Sequence, residues 1–126
     1  MMSTQLSKKK RILVIDPDEE FCRSIRLYLE EDYQVTTRQG FDYFDYSIIL
    51  NKIDLLIMEA DLADARLIHL IKQIRHNHPA IRIIIMYVYF PPDKTIEKAL
   101  VEDADDIISK PFDVDILQQK VNSLLS

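Results

Sequence analysis

Where the apolar runs of this chain stop, acidic, basic and hydroxyl-bearing side chains follow. Asp16, Pro17 and Asp18 come after ILVI, Glu59 after DLLIM, Tyr87 closes IRIIIMY, and Lys110 and Pro111 come after IIS. Carboxylates that converge with one lysine suit a divalent-cation site, a phosphoryl site or a buried salt bridge. Spacing does not choose among the three. The same acids argue against a flavin or nucleotide phosphate, which needs backbone amides and hydroxyls in their place. Gly40 is the single glycine, so Gly-rich phosphate cradles cannot be built.

Bringing those positions together requires parallel strands that end at one edge. ILVI at Ile12 to Ile15 is rich in β-branched residues and lacks polar alternation, which predicts a strand covered on both faces. A helix follows, with Phe21, Ile25, Tyr28 and Leu29 inward and Glu19, Glu20, Arg23, Arg26 and Glu30 outward. Asp18 is placed to cap it. The pattern repeats with a strand over 33–37, a turn that Gly40 permits, and a helix over 42–51 carrying Phe44 and Ile48 inward. The aromatic cluster Phe41, Tyr43, Phe44 and Tyr46 reads as packing. Further strands are predicted over 54–58, 81–87 and 107–109, and helices over 67–76, 93–102 and 114–125. Five βα units of this length demand right-handed crossovers and an α/β fold. The expected architecture is a doubly wound, five-stranded parallel sheet of flavodoxin-like order 2-1-3-4-5, with helices on both faces and its ligand site at the carboxyl ends of the strands.

Composition narrows the function. The 126 residues are 48% hydrophobic and 29% charged, which describes one globular domain over residues 11–126. Residues 1–10 (MMSTQLSKKK) lack periodicity and are expected to form a flexible basic tail. Cys22 is the only cysteine, so it reads as a small buried apolar residue in a reducing cytoplasm and not as part of a metal or disulfide framework. His69, His76 and His78 read as solvated surface. No run is long enough to span a membrane, and a net charge of -5 argues against nucleic-acid binding by the domain.

At these residues the chain resembles the receiver domain of two-component response regulators, over about Lys10 to Leu125. ILVIDPDEEF is similar to the receiver's first strand and acidic loop, DLLIME to the third strand ending in the phosphate acceptor, and DDIISKPFD to the fifth strand with its Lys-Pro pair. In that family an aspartate closing the third strand attacks a phosphohistidine, and an acid pair after the first strand holds Mg²⁺. The lysine binds the phosphoryl group, while a small hydroxyl residue after the fourth strand and an aromatic residue on the fifth shift together. The resemblance puts Asp16 on the first acid and Lys110 and Pro111 on the Lys-Pro pair, whose bond is usually cis in the family. It puts Pro17 on the second acid, Glu59 on the acceptor, Tyr87 on the hydroxyl switch residue and Ile107 on the aromatic one. Ala63 and Leu67 stand where Pro and Gly are usual.

These departures imply a degenerate receiver, a pseudo-receiver that signals by binding a protein partner without turning over phosphate. Glutamate at position 59 displaces the attacking oxygen, and a misplacement of about 1 Å can cost roughly a hundredfold in rate. Paired with Lys110, Glu59 can instead mimic the phosphorylated aspartate. No cofactor is required; weak Mg²⁺ binding by Asp16, Asp18 and Glu59 is compatible with the loss of one acid. The alternative is a working phosphoacceptor that uses Glu59, Asp61 or Asp64, with Asp16 and Asp18 on Mg²⁺. Implied partners are an output domain, a histidine kinase or a second copy. Dimers would form through the face of the fourth helix, fifth strand and fifth helix, which carries Lys94, Glu97, Lys98, Asp105, Asp106 and Lys120. Tyr89 and Phe90, stiffened by Pro91 and Pro92, are a second expected anchor.

Overall fold

Aliphatic runs buried on both sides build the sheet. The computed structural model describes residues 9–40, 49–60, 65–88, 98 and 102–126. Its elements are β1 (Arg11–Ile15), α1 (Glu19–Leu29), β2 (Gln34–Arg38), β3 (Leu55–Ala60), α2 (Ala65–Asn77), β4 (Arg82–Tyr87), β5 (Asp106–Ser109) and α3 (Val114–Leu125). The five strands form one sheet in the order β2-β1-β3-β4-β5, and all four pairings are parallel. This is the predicted topology. Of the predicted helix over 42–51 only Ile49 and Leu50, helical, and Asn51, in a turn, are described, and the one over 93–102 lies almost wholly outside the described residues.

The alternation of each strand sorts its side chains into two apolar layers. Leu13, Ile15, Leu56, Met58, Ile83, Ile85 and Tyr87 pack with Ile71 and Ile74 of α2 on one side. On the other, Ile12, Val14, Leu55, Ile57, Ile84, Met86 and Ile108 pack with Cys22, Ile25 and Leu29 of α1 and Leu117 and Val121 of α3. Two caps fix where the helices of that second layer begin. Asp18 Oδ1 accepts from the backbone N–H of Glu20 and Phe21, and Asp113 Oδ1 accepts from that of Asp115. Tyr28 donates to Asp115 and Tyr33 to Asn122, joining α1 and the turn after it to α3.

At the amino edge of the sheet Asp105 is the knot. Its Oδ2 accepts from Arg75 of α2 at 2.7 Å and from the Ile83 N–H at 2.7 Å, and its Oδ1 from Arg82 at 3.2 Å. Arg75 also donates to the carbonyls of Pro79, Ile81 and Asp103. The short strand β5 thus enters the sheet already tied to α2 and β4.

Two details differ from what the sequence suggests. Gly40 has no positive φ and a Cβ there would meet open space, so the turn does not require glycine. Lys9 and Lys10, the last two residues of the expected tail, are engaged: Lys9 Nζ donates to the Glu31 carbonyl at 2.9 Å and Lys10 O accepts from Gln34 N at 2.9 Å. The carbonyls at the end of α1 attract that ammonium. Residues 1–8 lie outside the described residues.

Candidate functional site

The carboxyl ends of β1, β3, β4 and β5 enclose a cleft of about 480 Å³ lined by Asp16, Asp18, Glu59, Lys110, Phe21, Val88, Phe112 and the two prolines that follow Asp16 and Lys110. Asp16 sits at its floor, 1% exposed. Its backbone N–H donates to the Arg38 carbonyl, which holds the residue against β2. Both of its carboxylate oxygens are used: Oδ1 accepts from the Asp18 N–H at 2.9 Å and Oδ2 from Lys110 Nζ at 2.5 Å. Pro17, which has no N–H, leaves the turn to Asp18 to make that bond.

Lys110 is held from four sides. Its backbone N–H donates to the Tyr87 carbonyl at 2.7 Å, and the Lys110–Pro111 bond is cis. Nζ bridges Asp16 Oδ2 and Glu59 Oε1, the latter at 3.0 Å. The ammonium also lies 4.0 Å from the centroid of Phe21, whose ring meets Phe112 edge-on at 5.9 Å. Burial pulls the lysine pKa down, but the hydrogen bonds and charges of Asp16 and Glu59 outweigh it and raise it above its ordinary value. The ammonium is therefore permanent in neutral solution. One cation among Asp16, Asp18 and Glu59 leaves the cleft with a surplus of negative charge.

Whether this donor set fits Mg²⁺ can be read from its hydrogen bonds. Mg²⁺ takes six oxygen ligands in an octahedron, keeps several of its waters and is held through one or two carboxylates. Asp16 has neither oxygen unengaged, Asp18 Oδ1 is spent on the α1 cap, and a lysine ammonium stands between Asp16 and Glu59. Among the described residues no three His, Cys, Asp or Glu side chains converge as metal ligands. As arranged, Asp16 and Glu59 are engaged by the Lys110 ammonium, with which Mg²⁺ would compete for both carboxylates.

The structure brings Asp16, Asp18, Glu59 and Lys110 together as the strand ends implied, and it does not bring Tyr87. Glu59 pairs with Met86 and Ala60 with Tyr87, so Tyr87 falls on the opposite face of the sheet from Glu59. It is 7% exposed in the α2 layer. The residue of β4's end that lines the cleft is Val88, 46% exposed. The hydroxyl of Tyr87 therefore belongs to a residue packed in the α2 layer, and an aliphatic side chain lines the cleft at this strand end. Phe21 and Phe112 were visible as apolar residues, but nothing in their spacing marked them as walls of the cleft. Asp61 and Asp64, and the expected anchors Tyr89 and Phe90, lie outside the described residues.

Residues 12–122 match the response regulator receiver domain family. The transcriptional regulatory protein KdpE of Staphylococcus aureus is 31% identical over 114 residues, which are 90% of this chain and 48% of that protein. The response regulator ArlR of Staphylococcus saprophyticus is 29% identical over 91% of this chain and 52% of its own length. The chain spans about half the length of the curated relatives it matches. Among solved structures, a two-component response regulator from Clostridium difficile superposes with a TM-score of 0.74 at 32% identity, covering 93% of this chain and 96% of that one. A response regulator from Thermotoga maritima has the same fold, with a TM-score of 0.79 at 23% identity over 93% and 98% of the two chains. With its sheet order, its cleft and its Lys-Pro pair in the same frame, the chain belongs to the response regulator receiver domain family, a signalling and non-catalytic module.

Proposed function

We propose that this receiver domain is degenerate and signals through protein contacts without phosphoryl transfer. The observation that carries this reading is the clamp on Lys110 Nζ, shared between Asp16 Oδ2 and Glu59 Oε1. In a phosphorylating receiver that lysine meets a phosphoryl group; here a side-chain carboxylate of the chain itself supplies the negative charge. Glu59 is the mimic, Asp16 its buried anchor, and Val88 has no hydroxyl with which to sense a modification.

The output follows from surface and not from turnover. Ile116, 45% exposed, shares a helix face with Lys120, whose ammonium holds both oxygens of Asp106 on β5. This face suits self-association or docking of an output domain or kinase. Among the described residues no helix is long and apolar enough to cross a membrane. The reading places the domain in the cytoplasm, where the lone Cys22 thiol stays reduced.

A Mg²⁺ titration followed by amide NMR tests the proposal. Signals of Asp18, Glu59 and Lys110 are expected to move weakly and without saturation at millimolar Mg²⁺. Saturation in that range would favour a working phosphoacceptor.

A further inference from the structure

A second recess, sharing no residue with the Lys110 cleft, lies where β1 meets the edge strand β2. It measures about 200 Å³ and is lined by Arg11, Gln34, Thr36, Arg38 and Lys52, with Ile49 and Ile53 behind them. The register pairs Arg11 with Gln34 and sets Thr36 and Arg38 at the next alternate positions, so these four residues project from one face. Lys52 joins them from the turn before β3.

Three cations thus share one small volume in a chain whose net charge is -5. Elsewhere Arg75, Arg82, Lys110 and Lys120 each hold a carboxylate. In the recess, among the described residues, the side chains of Arg11 and Lys52 make no ion pair or hydrogen bond, and Arg38 donates only to the Thr37 carbonyl, at 2.8 Å. Asp54 Oδ2 accepts from the Arg11 backbone N–H at 2.8 Å, but among the described residues no carboxylate pairs with the three cationic side chains, and an anion seated among them lowers their mutual repulsion.

Size and charge define the anion. The volume falls below the roughly 300–1,000 Å³ of sites that enclose drug-sized molecules, which leaves room for a small oxyanion. A carboxylate would neutralise one cation of the three. Phosphate carries about two negative charges and offers several acceptor oxygens, which two guanidinium forks, an ammonium, the Thr36 hydroxyl and the Gln34 amide can meet. We propose that this recess binds a phosphate dianion, either free or as the monoester group of a small metabolite. The inference goes beyond the proposed function, because it uses no residue of the Lys110 cleft.

The test is an amide NMR titration of the full chain with inorganic phosphate, at constant ionic strength against chloride, and in parallel with glycerol phosphate. Saturable shifts at Gln34, Thr36 and Arg38 are expected with phosphate and not with chloride. Tighter binding of glycerol phosphate identifies a monoester as the ligand, and tighter binding of the free ion identifies phosphate itself. The Arg11→Gln, Arg38→Gln, Lys52→Gln triple variant should bind about tenfold more weakly, and Lys52→Gln alone roughly twofold more weakly. All three side chains are exposed, so circular dichroism should show an unchanged fold; should the triple variant unfold, the single variant decides. Shifts confined to the Lys110 cleft, an equal response to chloride, or unchanged affinity in Lys52→Gln would overturn the proposal.

Discussion

At the scale of single residues, Lys110 serves two carboxylates of very different burial. Asp16 is 1% exposed and the Glu59 side chain 23%, so the two halves of the clamp carry unequal weight. Lys110→Met strands a buried carboxylate and should destabilise the fold by about 3 kcal/mol. Glu59→Gln removes a more solvated partner and should cost under about 1 kcal/mol. Chemical denaturation of the two variants checks that ranking. The raised lysine pKa adds a pH signature. Its folded-state value lies above the ordinary 10.5, so the contribution of the ammonium is complete below pH 10.5 and is lost as pH rises through the folded-state value. The stability difference between wild type and Lys110→Met should be level from about pH 7 to 10 and shrink at higher pH. A difference that shrinks already near neutrality would mean that the clamp does not hold the proton.

At the scale of elements, the strand ends decide which residues meet. A variant carrying Pro17→Asp, Glu59→Asp and Val88→Thr restores an acid pair, a shorter acceptor and a hydroxyl on the cleft side of β4. It is expected to bind Mg²⁺ at millimolar concentration and to accept phosphate slowly from an acyl-phosphate donor, both readable by NMR and intact mass. Replacing Tyr87→Thr in place of Val88→Thr should give no such gain and should cost about 2–4 kcal/mol, because Tyr87 is packed in the α2 layer. The reverse ranking would show that the face assignment of β4 is wrong. Much of this was legible beforehand. Unbroken aliphatic runs revealed the strands, and the acid, glutamate and lysine that follow them revealed the site. Which face Tyr87 takes was not legible, because a run buried on both faces carries no polar alternation to mark its parity; only pairing with β3 fixes it. The Asp105 knot was hidden for another reason, since it joins residues that sequence separates by 30 positions. Likewise Lys110 and Asp16 are 94 positions apart, and the aromatic ring beneath the lysine becomes apparent only once α1 is docked.

At the scale of the whole molecule, the domain combines a receiver scaffold with an acidic cleft in which Lys110 pairs with Asp16 and Glu59. The sheet order and the two apolar layers make up the scaffold on which the cleft sits. In the function proposed above, internal ion pairing takes the place of phosphoryl chemistry and the domain presents its surface to a partner. The chain covers about half of its curated relatives, and we propose that the remainder of such a protein supplies the output. The most direct measurement is the intact mass of the wild-type protein after incubation with an acyl-phosphate donor and Mg²⁺. The unmodified mass is predicted, with self-association by sedimentation the same before and after treatment. A stable, acid-labile phosphoryl adduct on Glu59, Asp61 or Asp64 would contradict it.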